Sequence, residues 1–241
     1  GTATQTEVKE QIDLMYSLIH QQVDVIVLVP IDSKALVQPA VEAVRKGIPV
    51  INIDIQLDAQ LLEQAGVEVA FVGPDNFAAA YEVGKLLGKK LRNEDKVAII
   101  EGLAVADNAR QRKRGFIKAI EEKGLRLVAS EPADWETEKA AEVFQAMWMR
   151  YPDLKAVYCS NDAMALGVLQ QMQEKKCYLP VVGFDNDAVM KEFLSTGKLV
   201  ATADIFSSQM AVRGIEFALD VLEGRIENRG VHSTAYEIIK Q

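Results

Sequence analysis

One stretch constrains this chain strongly: Ala-Val-Tyr-Cys-Ser-Asn-Asp-Ala-Met-Ala-Leu-Gly at 156–167. Ala156 to Cys159 is an apolar run too short for a helix. Ser160-Asn161-Asp162 are helix-capping types, and a helical pattern follows them, so the chain passes from a buried strand through a turn into a helix. In open α/β sheets ligands bind at such strand ends, because strand ends and helix amino termini present free polar groups there without disturbing the core. Leu179 to Phe184 repeats the arrangement and ends in Asp185. Asn161 and Asp185 are therefore expected to end consecutive parallel strands and to face one crevice.

The rest of the chain alternates in the same way. Val8, Ile12, Met15 and Ile19 predict an amphipathic helix over 4–22. A strand is expected over Asp24 to Val29, then a helix capped by Ser33, then a strand from Ile48 to Asp54. Gln56 to Glu68 reads as a polar connection to a short strand at Val69 to Val72, and Gly73-Pro74-Asp75 opens a helix. Further strands are expected at 96–100, 125–129, 199–203 and 235–239, with helices at 109–123, 134–150, 187–195 and 207–222. This is an α/β chain built on parallel sheets flanked by helices. The module strand, turn aspartate, helix, strand ending in aspartate occurs twice, with 22 residues from Asp32 to Asp54 and 23 from Asp162 to Asp185. Two similar lobes would line a cleft from both sides, although any α/β chain shows echoes of this kind.

Composition narrows the function. The net charge of -8 argues against a nucleic-acid surface, and the one basic cluster, Arg110, Arg112, Lys113 and Arg114, is too short to change that. No apolar run approaches the roughly 18 residues that span a bilayer. No basic-then-apolar signal peptide opens the sequence, which does not place the protein in the cytoplasm, since mature exported proteins have lost theirs. Cys159 and Cys177 lack metal-site spacing and fall roughly 15 Å apart on neighbouring strands, so two free thiols are expected. His20 and His232 have no partner at helical spacing. There is no phosphate-cradling glycine loop, nucleophile elbow or metal cluster, and no cofactor or catalysis is expected.

Five segments together carry a resemblance: Val-Asp-Val-Ile-Val-Leu-Val-Pro-Ile-Asp-Ser at 23–33, Gly-Ile-Pro-Val-Ile-Asn-Ile-Asp at 47–54, Arg-Gln-Arg-Lys-Arg-Gly-Phe at 110–116, Ser-Asn-Asp-Ala-Met-Ala-Leu-Gly at 160–167 and Val-Val-Gly-Phe-Asp at 181–185. In order and spacing they resemble the type I periplasmic sugar-binding proteins of the ribose-binding-like branch. The resemblance implies two Rossmann-like lobes joined by a three-segment hinge, one at about 1–102 plus 206–233 and incomplete at its start, the other at 103–205 plus 234–241. It further implies a periplasmic or extracytoplasmic monomer that closes over a neutral sugar or polyol and hands it to a membrane ABC permease, with a chemoreceptor as a further partner. The effector domain of a LacI-type transcription regulator shares the fold and is the alternative; a glycosidase using Asp54 and Asp185 is a third reading without support in the motifs.

Position by position, Asp54 matches the acid that binds sugar hydroxyls, Arg112 the arginine ahead of the Gly-Phe pair, Trp135 the stacking aromatic, Asn161 the asparagine of the turn and Asp185 the acid of the last motif. Carboxylates, an amide and a planar guanidinium suit a vicinal diol, and two acids near one arginine favour a neutral ligand. Structural alternatives stand beside these roles. Asp54 and Asp185 could cap helices, as Asp162 and Asp32 are expected to, and Arg112 could be solvated. Trp135 opens a helix with its ring free to stack, whereas Trp148 pairs with Phe144 in the core. The family's first strand and the loop after it have no counterpart here, so its neighbours inside the sheet are expected to be unpaired. Ile55 and Ile205 stand where arginine and glutamine are usual, which points away from ribose itself.

Overall fold

The computed structural model describes residues 7–241. In chain order the elements are α1 (Val8–His20), β1 (Ile26–Leu28), α2 (Val37–Arg45), β2 (Val50–Ile53), α3 (Ala59–Ala65), β3 (Phe71–Pro74), α4 (Asn76–Gly88), β4 (Lys96–Glu101), α5 (Asp107–Lys123) and β5 (Arg126–Pro132). There follow α6 (Thr137–Arg150), β6 (Ala156–Cys159), α7 (Asp162–Glu174), β7 (Val181–Val182), a 3-10 turn (Ala188–Met190), α8 (Lys191–Ser195), β8 (Leu199–Asp204), α9 (Ser207–Leu222), β9 (Val231–Thr234) and β10 (Glu237–Lys240). The α/β alternation is as expected, and the first residues of the expected opening helix, 4–6, lie outside the described residues. Among the described residues no helix is long and apolar enough to cross a membrane.

The chain forms two compact units. The first comprises residues up to Pro74, Val105–Asn108 and Phe206–Thr234. Its sheet runs β1-β2-β3-β9, and every pairing is parallel. Met15 and Ile19 of α1 and Val37, Ala40 and Val41 of α2 cover one face over Ile26, Leu28 and Val50. On the other face Ile51, Ile53 and Val72 meet Ala218, Phe217 and Val221 of α9. The absent strand's neighbours were expected to be unpaired; among the described residues the strands are consecutive neighbours, and β1 is at the edge, paired with β2 alone, with Val27 and Val29 exposed.

The second unit comprises Asp75–Ala104, Ala109–Ile205 and Ala235–Gln241. Its sheet runs β10-β8-β7-β6-β4-β5, parallel except for β10, which pairs antiparallel with β8 at the edge. The expected division at residue 102 is corrected here. The chain leaves the first unit after Pro74, because β4 is an interior strand of the second sheet and α4 packs on β7, β8 and β10.

Two elements escaped the sequence reading. α3 lies inside the expected polar connection, begun by Asp58, whose side chain accepts the Leu61 N–H, and ended by Gly66 in the left-handed region. β9 is short and largely exposed and depends on β3 for its pairing. Ser33 is also not a helix cap. Asp32 Oδ1 accepts the N–H groups of Lys34 and Ala35, holding a turn through Leu36 so that the helix starts at Val37, and buried Ser33 Oγ accepts the Asp107 N–H instead.

Candidate functional site

β6 and β7 are neighbouring parallel strands, with Val157 opposite Val181 and Tyr158 opposite Val182. Their carboxyl ends therefore sit side by side, and the residues that follow, Asn161 and Asp185, share one edge of the second unit's sheet. Arg112, on α5, comes to the same edge. Only 3% of Arg112 is exposed, which rules out the solvated alternative.

A buried guanidinium needs acceptors in its plane, and this one has them. Arg112 Nε donates to Asn76 Oδ1 at 2.9 Å. Its Nη1 donates to Ser160 O at 2.9 Å and to Asp185 Oδ1 at 3.3 Å. The face of the group lies on the Phe184 ring, with Cζ 3.6 Å from the ring centroid, and the Trp135 ring centroid is 5.6 Å away. Four of the five candidates, Arg112, Trp135, Asn161 and Asp185, thus belong to the second unit, three of them in direct contact around the guanidinium.

Trp135 departs from its expectation. The residue is 8% exposed, and its ring packs against the backbone at Gly102, where a Cβ would fall inside the ring. Asp134 and Trp135 both have positive φ, 52° and 71°, in a turn closed by the Glu136 N–H donating to Ala133 O. Trp148 stacks on Phe144 at 6.0 Å as expected, although it is only half-buried.

The two polar residues after β6 exchange their expected parts. Asn161 is the N-cap of α7, its Oδ1 accepting the Met164 N–H at 2.9 Å. Asp162, expected to cap, is fully buried behind the turn that carries Asp185. It accepts the Asp187 N–H and the Thr202 hydroxyl, both at 2.9 Å. Burial raises its carboxyl to about 7, against the opposing effect of these hydrogen bonds.

Asp54 is the one candidate in the first unit, at the end of β2. The Ile55 N–H donates to Ile53 O, a γ-turn that puts Asp54 at its apex with φ 64°. Asn52, 1% exposed, secures this turn from behind: its amide donates to Leu28 O and Ile55 O and accepts the Leu57 N–H. Asp54, Trp135 and Asp185 (φ 107°) are all non-glycine residues with left-handed backbone, a strain that persists only where surrounding bonds enforce it and that concentrates at functional sites.

Asn76, Asn52 and Asp162 were not singled out as site residues from sequence. The periodicity of α5 could have placed Arg112 inward, since it shares a face with Phe116 and Ala119, both buried. Cys159 and Cys177 are free thiols, as expected. Grooves beside α3 and beside α6 hold none of the five candidates.

Comparison with known proteins agrees with this architecture. The family model described as periplasmic binding protein domain matches residues 2–226. The D-ribose/D-allose-binding protein of Pseudomonas aeruginosa is 40% identical over 244 residues, covering 99% of this chain and 76% of its own length. An ABC transporter solute binding protein from Burkholderia multivorans superposes with a TM-score of 0.95 at 38% identity, over 100% of this chain and 86% of that one. Another from Actinobacillus succinogenes, with bound D-allose, gives 0.90 at 31% identity, over 97% and 84%.

Proposed function

The chain belongs to the periplasmic binding protein domain family, and from that premise we propose that it captures a neutral sugar or related polyol in the periplasm and delivers it to an ABC transporter. It is a binding protein with no catalytic step, as its relatives from Pseudomonas, Burkholderia and Actinobacillus are solute-binding proteins. None of those three is a transcription regulator, and the LacI-type alternative is set aside. Arg112, Trp135, Asn161 and Asp185 contact the sugar, and Asp54 of the first unit supplies a further acid for its hydroxyls. The permease receives the sugar from a single copy of the chain, and a chemoreceptor is a second reader of the bound form.

The observation that carries this reading is the Arg112–Asp185 contact. The Asp185 carboxylate is already balanced by a guanidinium whose Nε and Nη1 donate to Asn76, Ser160 and Asp185. Such a site offers acceptors and donors for hydroxyls with little net charge, which suits a polyol better than an anion. The D-allose seen in the Actinobacillus protein supports the ligand class.

Thermal unfolding in millimolar D-allose, D-ribose, myo-inositol and, as an anionic control, gluconate tests the proposal. A sugar at about a thousand times its Kd adds about 4 kcal/mol, several degrees for a chain of this size. An upward shift with at least one neutral compound and none with gluconate is expected. A shift with gluconate alone would overturn the reading.

A further inference from the structure

The turn after β7 carries Asp185, and it is held at four successive backbone groups. Phe184 O accepts the Asp162 N–H at 2.7 Å, and the Asp185 N–H donates to Ala203 O at 2.7 Å. The Asn186 N–H donates to Thr202 Oγ1 at 3.2 Å, and the Asp187 N–H donates to Asp162 Oδ2 at 2.9 Å. Thr202 Oγ1 in turn donates to Asp162 Oδ1 at 2.9 Å, joining the two side chains that serve the turn. Both are fully buried. Asn186 Nδ2 also donates to Asp204 Oδ2 at 2.9 Å.

These bonds oppose a real cost. Asp185 and Asn186 have φ of 107° and 60°, a pair of consecutive left-handed residues neither of which is glycine. Without fixed partners such a turn relaxes towards ordinary backbone, and the direction of the Asp185 side chain changes with it. Gly183 completes the arrangement, because a Cβ there would run into Asp162 Oδ1. The chain has placed a carboxylate where no solvent reaches it, and its two oxygens answer one backbone N–H and one hydroxyl of the turn's own support.

We propose that Asp162 and Thr202 are positioning residues for the sugar site: together they hold residues 184–187 in the strained form that aims Asp185 at the ligand. Neither touches the sugar; each acts through the Asp185 turn. The proposal rests on the sugar-binding reading above for its effect on affinity and on the turn's geometry for its effect on the backbone.

The test uses Thr202→Val, which removes the hydroxyl, and Asp162→Asn, which replaces one of the two acceptor oxygens by a donor and removes the charge, both keeping shape, with Thr202→Ser as the conservative rescue and Met172→Ala, in the buried face of α7, as a control for general destabilisation. D-allose binding is measured by calorimetry at pH 8, and amide hydrogen exchange is followed by NMR. Thr202→Val and Asp162→Asn are expected to weaken D-allose binding about ten- to hundredfold, what the loss of one charge-assisted hydrogen bond is worth. Both are expected to speed exchange at Asn186 and Asp187. Thr202→Ser should restore affinity, and Met172→Ala should lower the Tm while leaving affinity as it was. Wild-type affinity in both isosteric variants would overturn the proposal. If the wild-type chain does not bind D-allose, the assignment of that sugar fails and the exchange measurement decides the positioning claim: unchanged exchange at Asn186 and Asp187 would overturn it.

Discussion

Arg112 Nη1 lies 3.3 Å from Asp185 Oδ1 while its guanidinium carbon rests 3.6 Å from the centroid of the Phe184 ring, the residue just before that acid. The same group also reaches Asn76 and Ser160 O. One side chain therefore ties the first residue of α4, the end of β6 and the end of β7 together, and the Asp185 turn is held by charge and by stacking on Phe184 at once.

Replacing this arginine by lysine keeps the charge and loses the geometry. A lysine ammonium is a compact point charge and cannot serve three acceptors in one plane or stack on Phe184. Arg112→Lys is expected to fold, to melt several degrees lower and to bind D-allose at least about tenfold more weakly, the value of one lost charge-assisted hydrogen bond. Calorimetry and thermal melts check both; wild-type values in both would contradict the role assigned to the guanidinium.

Gly102 has no side chain because the Trp135 ring occupies the space a Cβ would take. Gly102→Ala must push the ring out of its place, at a cost of about 1–3 kcal/mol for overpacking. In a Trp148→Phe background Trp135 is the remaining indole, so its emission should move to longer wavelength as the ring meets water, with weaker D-allose binding alongside. Unshifted emission would mean that the ring is held by something other than the Gly102 backbone.

Asn52 satisfies three backbone groups around the Asp54 turn with one buried amide. Asn52→Leu is close in size and leaves Leu28 O, Ile55 O and the Leu57 N–H without that partner. Buried polar groups left in this way cost about 1–3 kcal/mol each, enough to lower the Tm by several degrees. A differential scan compares it with Ile51→Val, a neighbouring change that should cost only about 1 kcal/mol. Equal melting of the two variants would contradict the role of the amide.

Asp162 also makes stability depend on pH. Its carboxyl is raised to about 7 by burial; Asp187 and Thr202 face it through hydrogen bonds, and Cys159 is a close neighbour. Below about pH 4 the folded and unfolded chains both hold this proton. As pH rises towards 7 the unfolded chain loses it first, so this group's contribution to stability falls through that window and is lost above it. Asp162→Asn has no charge to bury. Its Tm relative to wild type should therefore rise between pH 5 and pH 8, and a gap that does not move with pH would rule out the raised carboxyl.

The sequence made the alternation of strands and helices legible because its buried strands are short apolar runs bounded by capping residues, as at 156–162. It hid α3, since Ala59–Ala65 is seven residues long with no fully buried side chain, although Asp58 and Gly66 mark both of its ends. It could not apportion Asn161 and Asp162, because both are capping types and only the packing of β8 behind them, through Thr202, shows which one turns inward. The boundary between the units at Pro74 was equally hidden, being set by which sheet α4 covers rather than by any change in composition. Of the candidate site, the acids and the asparagine were legible as strand-end residues. The burial of Arg112 was written only in its spacing to Phe116 and Ala119, which the basic run around it masked, and that of Trp135 was not legible, because a glycine's open space leaves no mark in a sequence.

The most direct test of a neutral-sugar site built on Asp185 is a calorimetric titration of D-allose and D-ribose, with gluconate as control, into the wild-type chain and into Asp185→Ala. The account expects saturable one-to-one binding of a neutral sugar by the wild type, about a hundredfold weaker in the variant as about 2.7 kcal/mol of hydrogen bonding is lost. Equal binding by Asp185→Ala, or binding of gluconate and of neither neutral sugar, would contradict it.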